Sequence, residues 1–133
     1  MTLPKWIAPL FWVAACYDGV LGLLFLAAPG AIFERFGVVP PNHVGYVQFP
    51  AALLLIFGLM FAAVAADPIG RRHLIVYGIL LKVAYCGVTG LHWAATGIPF
   101  MWKPFVFIDF AMGVAFAWAY FQLAKPSRKA PVM

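Results

Sequence analysis

The chain is short of charge. Nine Lys or Arg and four Asp or Glu among 133 residues make it 10% charged, where soluble proteins carry roughly 25%. So few charges cannot solvate the surface of a globule of this size. A disordered chain is also excluded, because 65% of the residues are hydrophobic and disorder requires low hydrophobicity with high net charge. Cysteine is scarce: Cys16 and Cys86, both inside apolar runs, are the only two. They make no disulfide framework and have no metal-ligand spacing. Phosphate-binding loops, dinucleotide fingerprints, zinc-protease motifs and nucleophile elbows are missing as well. Soluble-type catalysis is therefore not expected of this chain on its own. The net charge of +5 does not point to nucleic acid, because the basic residues sit at the ends of apolar runs, as in the loops of membrane proteins.

The sequence is rich in long apolar runs. Four stand out, from about Trp6 to Ala28, Val44 to Ala66, His73 to Ala95 and Pro104 to Ala124. Each is about 20 residues, the length with which a helix crosses roughly 30 Å of hydrocarbon. None shows the alternation of barrel strands, and only helices or closed barrels satisfy their backbone in lipid. Turn chemistry separates the runs: Pro29-Gly30, Pro40-Pro41-Asn42, Asp67-Pro68-Ile69-Gly70 and Gly97-Ile98-Pro99. The expected fold is a single all-α membrane domain over residues 1–133, a four-helix transmembrane bundle.

Lysine and arginine set the expected orientation. With four spans, both termini and the second loop share a side. That side holds Lys5, Arg71, Arg72, Lys125, Arg128 and Lys129, against Arg35 and Lys103 opposite. The positive-inside bias then places both termini in the cytoplasm, in a bacterial-type inner membrane. Val13-Ala14-Ala15-Cys16 looks like a lipoprotein cleavage box, but the apolar run continues through Leu26, so a full span is the expectation.

In the longest outer loop, Ile32, Phe33 and Phe36 fall on one helical face, with Glu34 and Arg35 opposite. That pattern suits a short interfacial helix; a loop tucked over the bundle is the plainer alternative. Tyr17, Gly19, Val20, Gly22, Leu23 and Ala27 match Tyr85, Gly87, Val88, Gly90, Leu91 and Ala95 at a constant offset of 68. This suggests two parallel hairpin repeats, although glycine, alanine and leucine are common enough in membrane helices for coincidence. Small residues are expected to pack the helices: Ala15 with Gly19, Cys86 with Gly90, and the ladder Ala111, Ala115 and Ala119. Most tryptophans lie near span ends, where an aromatic belt accounts for them.

Three ionisable groups fall inside spans: Asp18, Lys82 and Asp109. A charge at the bilayer centre costs at least about 2.5–3.5 kcal/mol on insertion scales, so such groups face inward and pair. Asp18 with Lys82 is the expected pair by depth. Gly78, Lys82, Tyr85, Thr89 and His92 or Trp93 recur at helical spacing in the third span, a polar stripe that must face the interior. Asp109 shares a face with Gly113, Phe116 and Tyr120, and Gln48 enters the second span at a similar depth. The expected polar interior comprises Asp18, Gln48, Lys82, Tyr85 and Asp109, walled by Tyr17, Trp12 and Phe116. It serves either to bind a ligand or handle protons, or simply to fix helix register. Interhelical hydrogen bonds average only about 0.6 kcal/mol, a weak reason to keep a charged cluster for register alone. His43 and His92 lie near one membrane surface; they suit solvated loop positions, and a two-histidine haem is the sharper alternative.

The layout resembles the DoxX-like superfamily of small bacterial four-helix membrane proteins. Tyr17-Asp18-Gly19 and Leu21-Gly22-Leu23 in the first span carry the resemblance, with Phe33-Glu34-Arg35-Phe36-Gly37 after it. Gly58, Lys82 with Tyr85, and the stretch from Pro104 to Asp109 extend it, as do Asn42 to Pro50 and Met101 to Phe105. It covers nearly the whole chain and is mostly topological. The resemblance implies a quinone or redox partnership, since some members are associated with a thiosulfate:quinone oxidoreductase and others with redox-stress complexes; many have no assigned role. Three functions follow as expectations. The chain binds a small or lipid-like ligand, using Asp18, Lys82, Asp109, Tyr85, Gln48 and Tyr17; or it is a non-catalytic accessory subunit, with a membrane-protein partner or as a homo-oligomer; or it is a quinone-linked redox component.

Overall fold

The structure is a computed structural model that describes residues 3–128, with side chains described through residue 124. Of the basic residues counted above, Lys129 lies outside the described residues, and the side chains of Lys125 and Arg128 are not described.

Five helices follow in order: α1 (Ile7–Ala27), α2 (Pro29–Phe36), α3 (Gly45–Ala66), α4 (Ile75–Ala95) and α5 (Lys103–Arg128), with short 3-10 turns at Arg72–Leu74 and Phe100–Trp102. No strand occurs among the described residues. The helices α1, α3, α4 and α5 are long and apolar enough to cross a membrane, and the chain is a small multi-pass membrane protein built as a four-helix bundle. The expected spans fall on these helices, with α5 running on to Arg128. Because hydropathy is high all round each helix, burial rather than polarity marks the inward face. On α1 that face is Ile7, Phe11, Ala14, Asp18, Gly22 and Phe25, at steps of three and four residues.

Consecutive spans pair: α1 packs chiefly on α3, and α4 chiefly on α5. This is the two-hairpin arrangement the internal repeat suggests. The first pair is close enough to need missing side chains. A Cβ on Gly58 would lie 3.0 Å from the Gly19 Cα and 3.1 Å from the Ala15 carbonyl oxygen; one on Gly22 would lie 2.6 Å from the Ala51 carbonyl oxygen. Ala15 and Gly19 thus pack as expected.

The other small-residue expectations need correction. A Cβ on Gly90 would meet nothing within 4 Å, and Cys86 lends its thiol to the Val106 carbonyl at 3.5 Å. Ala111 is exposed, so the alanine ladder is not a continuous packing stripe. It lies two residues from Asp109, roughly 200° around the helix, and Asp109 with Phe116 sets the inward face. The close approach on α5 is Gly113 instead, whose Cβ would lie 3.3 Å from the Lys82 Cβ.

The half of the bundle nearest the termini is filled by rings. Phe11 stacks on Phe116 at 4.8 Å, and Phe61 tilts against Phe116 at 5.1 Å between centroids. Ile7, Val64, Ile75, Ala119 and Leu123 complete this core. At the same end, Arg72 donates from Nε to the Tyr120 carbonyl at 2.8 Å, with its guanidinium 3.6 Å over the Tyr120 ring. Arg71 donates to the Ala63 carbonyl at 2.9 Å. The two arginines so tie the α3–α4 loop to the ends of α3 and α5.

The opposite end is capped by α2. Phe33 is buried against Phe25 and Trp102, at 6.2 and 6.5 Å between centroids. Ile32 is half-buried, but Phe36 is exposed, so the expected three-residue apolar face contributes only two residues to the bundle. The helix stops at Gly37, whose φ of +66° lets its N–H reach the Glu34 carbonyl while Val38 reaches Phe33, a left-handed cap that a side chain disfavours.

Candidate functional site

The three intramembrane ionisable groups meet. Lys82 lies on the buried face of α4 with Ile75 and Gly78, and its ammonium donates to both carboxylate oxygens of Asp18, at 3.2 and 3.1 Å. It also donates to Asp109 Oδ1 at 3.3 Å. The expected Asp18–Lys82 pair is thus one arm of a triad that ties α1, α4 and α5 together. Lys82 and Asp18 are each 1% exposed. The lysine stem runs over Gly113, where no side chain obstructs it. Its ammonium lies 5.2 Å from the Tyr17 ring and 5.8 Å from the Phe61 ring, within the range of cation–π attraction.

The spacing of the helices explains the meeting. Asp18 occupies a step in the buried stripe of α1, between Ala14 and Gly22. Asp109 precedes Phe116 by two turns on α5, and both are buried. A polar group on an inward stripe must find its partner inside the protein, because lipid offers none.

Above the triad, toward α2, lies a cavity of about 460 Å³, within the range of small-molecule sites. All four spans contribute to it. Asp18 and Asp109 form its polar end, with the hydroxyl-bearing Tyr17 and Tyr85 beside them. The rest is apolar and aromatic, including Leu21, Phe25, Ala51, Leu54, Trp102 and Phe105. Lys82 is not on the wall; it sits behind the carboxylates. Tyr46, Pro50 and Ala84, also on the wall, are exposed, so the cavity has its mouth between α3 and α4. Those two helices touch near their connecting loop, where Phe61 packs on Gly78. Pro50, inside α3, lacks the N–H that would bond the carbonyl one turn back.

The other expected site residues sort plainly. Tyr17 belongs to the site: its ring lies 6.2 Å from that of Phe105, and its hydroxyl is buried with no hydrogen-bond partner. Tyr85 lines the cavity and donates its hydroxyl proton to the Trp102 carbonyl at 3.0 Å. Gln48 does not join the polar interior. Its side-chain amide donates to the Leu26 carbonyl at 3.1 Å, pinning the start of α3 to the end of α1. Trp12 does not wall the site either: it is 49% exposed, on the lipid face of α1. It stands six residues before Asp18, roughly 240° around the helix. Phe116 is buried below the triad, in the ring-filled core.

On α4 the inward stripe runs through Gly78, Lys82 and Tyr85 to half-buried Thr89 and Trp93, while His92 is exposed. The Nδ1 of His43 accepts the Gly45 N–H at 3.0 Å. Sequence reasoning missed the cavity and its aromatic wall. The signal was present: Phe105 stands one turn before Asp109, and Leu21 and Phe25 stand one and two turns after Asp18, all on the faces the two aspartates define.

Comparison of the chain with protein-family models, with curated proteins and with solved structures returned no match.

Proposed function

We propose that this protein binds a small, lipid-like molecule in the cavity above the Asp18–Lys82–Asp109 triad. The observation that carries this reading is the coincidence of the cavity with the charged cluster. The space is walled by rings and aliphatic side chains and ends on two carboxylates and an unpartnered buried hydroxyl. A triad kept only for helix register has no need of such a space. The mouth between α3 and α4 opens toward lipid, the phase from which an apolar molecule arrives. The DoxX-like resemblance belongs to the same proposal and brings a quinone into consideration.

Native mass spectrometry after gentle release from the membrane tests this reading. A small-molecule adduct is expected on the native chain and lost from the double variant Leu54→Trp, Ala84→Trp, whose two indoles crowd the cavity and its mouth. A bare chain in both preparations overturns it.

A second reading, as a non-catalytic accessory subunit, has an observation of its own. Side chains built on Gly87 and Gly90 of α4 would meet nothing within 4 Å, a small-residue face of the sort on which membrane helices dock. A protein partner or second copy retained in place of a small molecule supports that reading.

The proposal includes an inner-membrane location with both termini cytoplasmic, supported by the excess of basic residues at the termini end. A membrane-impermeant maleimide should label Val39→Cys on intact cells, and Ile69→Cys only after permeabilisation. The reverse pattern refutes this orientation.

A further inference from the structure

Were all three groups of the triad ionised, its charges would not balance. One ammonium faces two carboxylates, all inside the bundle. Asp18 takes both of its bonds from Lys82, so that pair is complete. Asp109 gives Lys82 a single oxygen, and it faces the cavity. With both carboxylates ionised, the uncompensated negative charge therefore belongs to the cavity end of the cluster. An uncompensated charge inside a membrane protein is costly unless a partner reaches it.

Among the described residues, the cavity wall carries no lysine, arginine or histidine. An anion entering it would find two carboxylates and no cation. The rings of Tyr17, Phe25, Tyr85, Trp102 and Phe105 surround the space, and aromatic faces attract a desolvated cation. The Tyr17 hydroxyl is directed to Asp109 and has no other partner.

We infer that the ligand of this cavity is a lipophilic amine bound as its ammonium ion, with N–H groups on Asp109 and its apolar body along Phe25, Trp102 and Phe105. This rests on the reading of the cavity as a binding site. The ammonium supplies the missing positive charge, and the apolar body occupies the space that opens to lipid. A fatty acid is rejected by charge. A neutral alcohol of the same length gains the apolar contacts alone.

The test uses the full chain in phosphatidylcholine nanodiscs, whose headgroups offer no N–H. Dodecylamine, 1-dodecanol and dodecanoic acid are titrated while the unfolding temperature is followed. Saturable stabilisation reports binding to the native state. The double variant Leu54→Trp, Ala84→Trp, with the cavity crowded by two indoles, removes the effect of each probe on the bilayer itself. Dodecylamine is expected to bind at least tenfold tighter than dodecanol, and dodecanoic acid not to bind. Asp109→Asn leaves the Asp18–Lys82 pair intact, so the bundle folds; dodecylamine should weaken at least tenfold, to the level of dodecanol. Equal binding of amine and alcohol, or an Asp109→Asn variant that keeps the amine preference, overturns the ammonium inference and leaves the cavity as a binding site. No saturable difference between the native chain and the double variant Leu54→Trp, Ala84→Trp for any probe overturns both.

Discussion

The two halves of the bundle use the same four helices to opposite ends. Toward the termini, Phe11, Phe61 and Phe116 meet ring on ring, and the space between the helices is full. Toward α2, the aromatic residues Tyr17, Phe25, Tyr85, Trp102 and Phe105 stand around the space instead of filling it. The triad lies at the boundary. Aromatic content therefore does not distinguish a core from a cavity. What differs is the neighbour opposite each ring: Gly78 lets Phe61 reach across between α3 and α4, whereas Pro50 and Tyr46 of α3 flank a gap. In lipid no hydrophobic force squeezes such a gap shut.

Removing Lys82 should erase the boundary between the halves. Lys82→Met leaves two carboxylates buried without a cation and is expected to cost about 3–5 kcal/mol. Unfolding in mixed micelles measures this, and a loss under 1 kcal/mol would show the triad to be dispensable. The combined variant Asp18→Asn, Lys82→Met, Asp109→Asn should recover most of that loss, as apolar or neutral replacements of buried ion pairs commonly do.

Truncating a ring sharpens the contrast. Phe116→Ala, in the full half, is expected to cost about 3–5 kcal/mol. Phe105→Ala, on the cavity wall, should cost less than half as much, because the space beside it is already open. Equal losses would mean that both halves are packed alike.

Glycine substitutions divide by sign. Gly58→Ala meets the backbone of α1 and should cost about 1–3 kcal/mol through overpacking. Gly90→Ala meets open space and should be neutral or stabilising by up to about 1 kcal/mol, the helix-propensity difference. A destabilised Gly90→Ala variant would place a helix partner on that face.

Much of this was legible in the chain. The spans follow from run length, since helices alone satisfy long apolar segments of this kind. Asp18, Lys82 and Asp109 were legible as an inward cluster because a charge in lipid must find a partner. Tyr85 followed from its place one turn from Lys82 on the same face of α4, and Tyr17 from its place next to Asp18 along the chain, at the edge of the inward face. Gln48 misled because depth alone put it near Asp109. Its amide turned to the Leu26 carbonyl, since the end of α1 exposes carbonyls with no helical partner. Trp12 misled because nearness along the chain is not nearness around a helix.

The sequence by itself determined that the chain crosses a membrane four times and that its few charges must meet inside it. Run length and the cost of bare charge in hydrocarbon leave no other arrangement. Only the tertiary structure decided that Lys82 serves two carboxylates at once, with both oxygens of one and a single oxygen of the other. It alone decided that the rings close one half of the bundle and leave a cavity in the other. Helix crossing and the reach of each side chain set those distances, and neither is written in the order of residues along one helix.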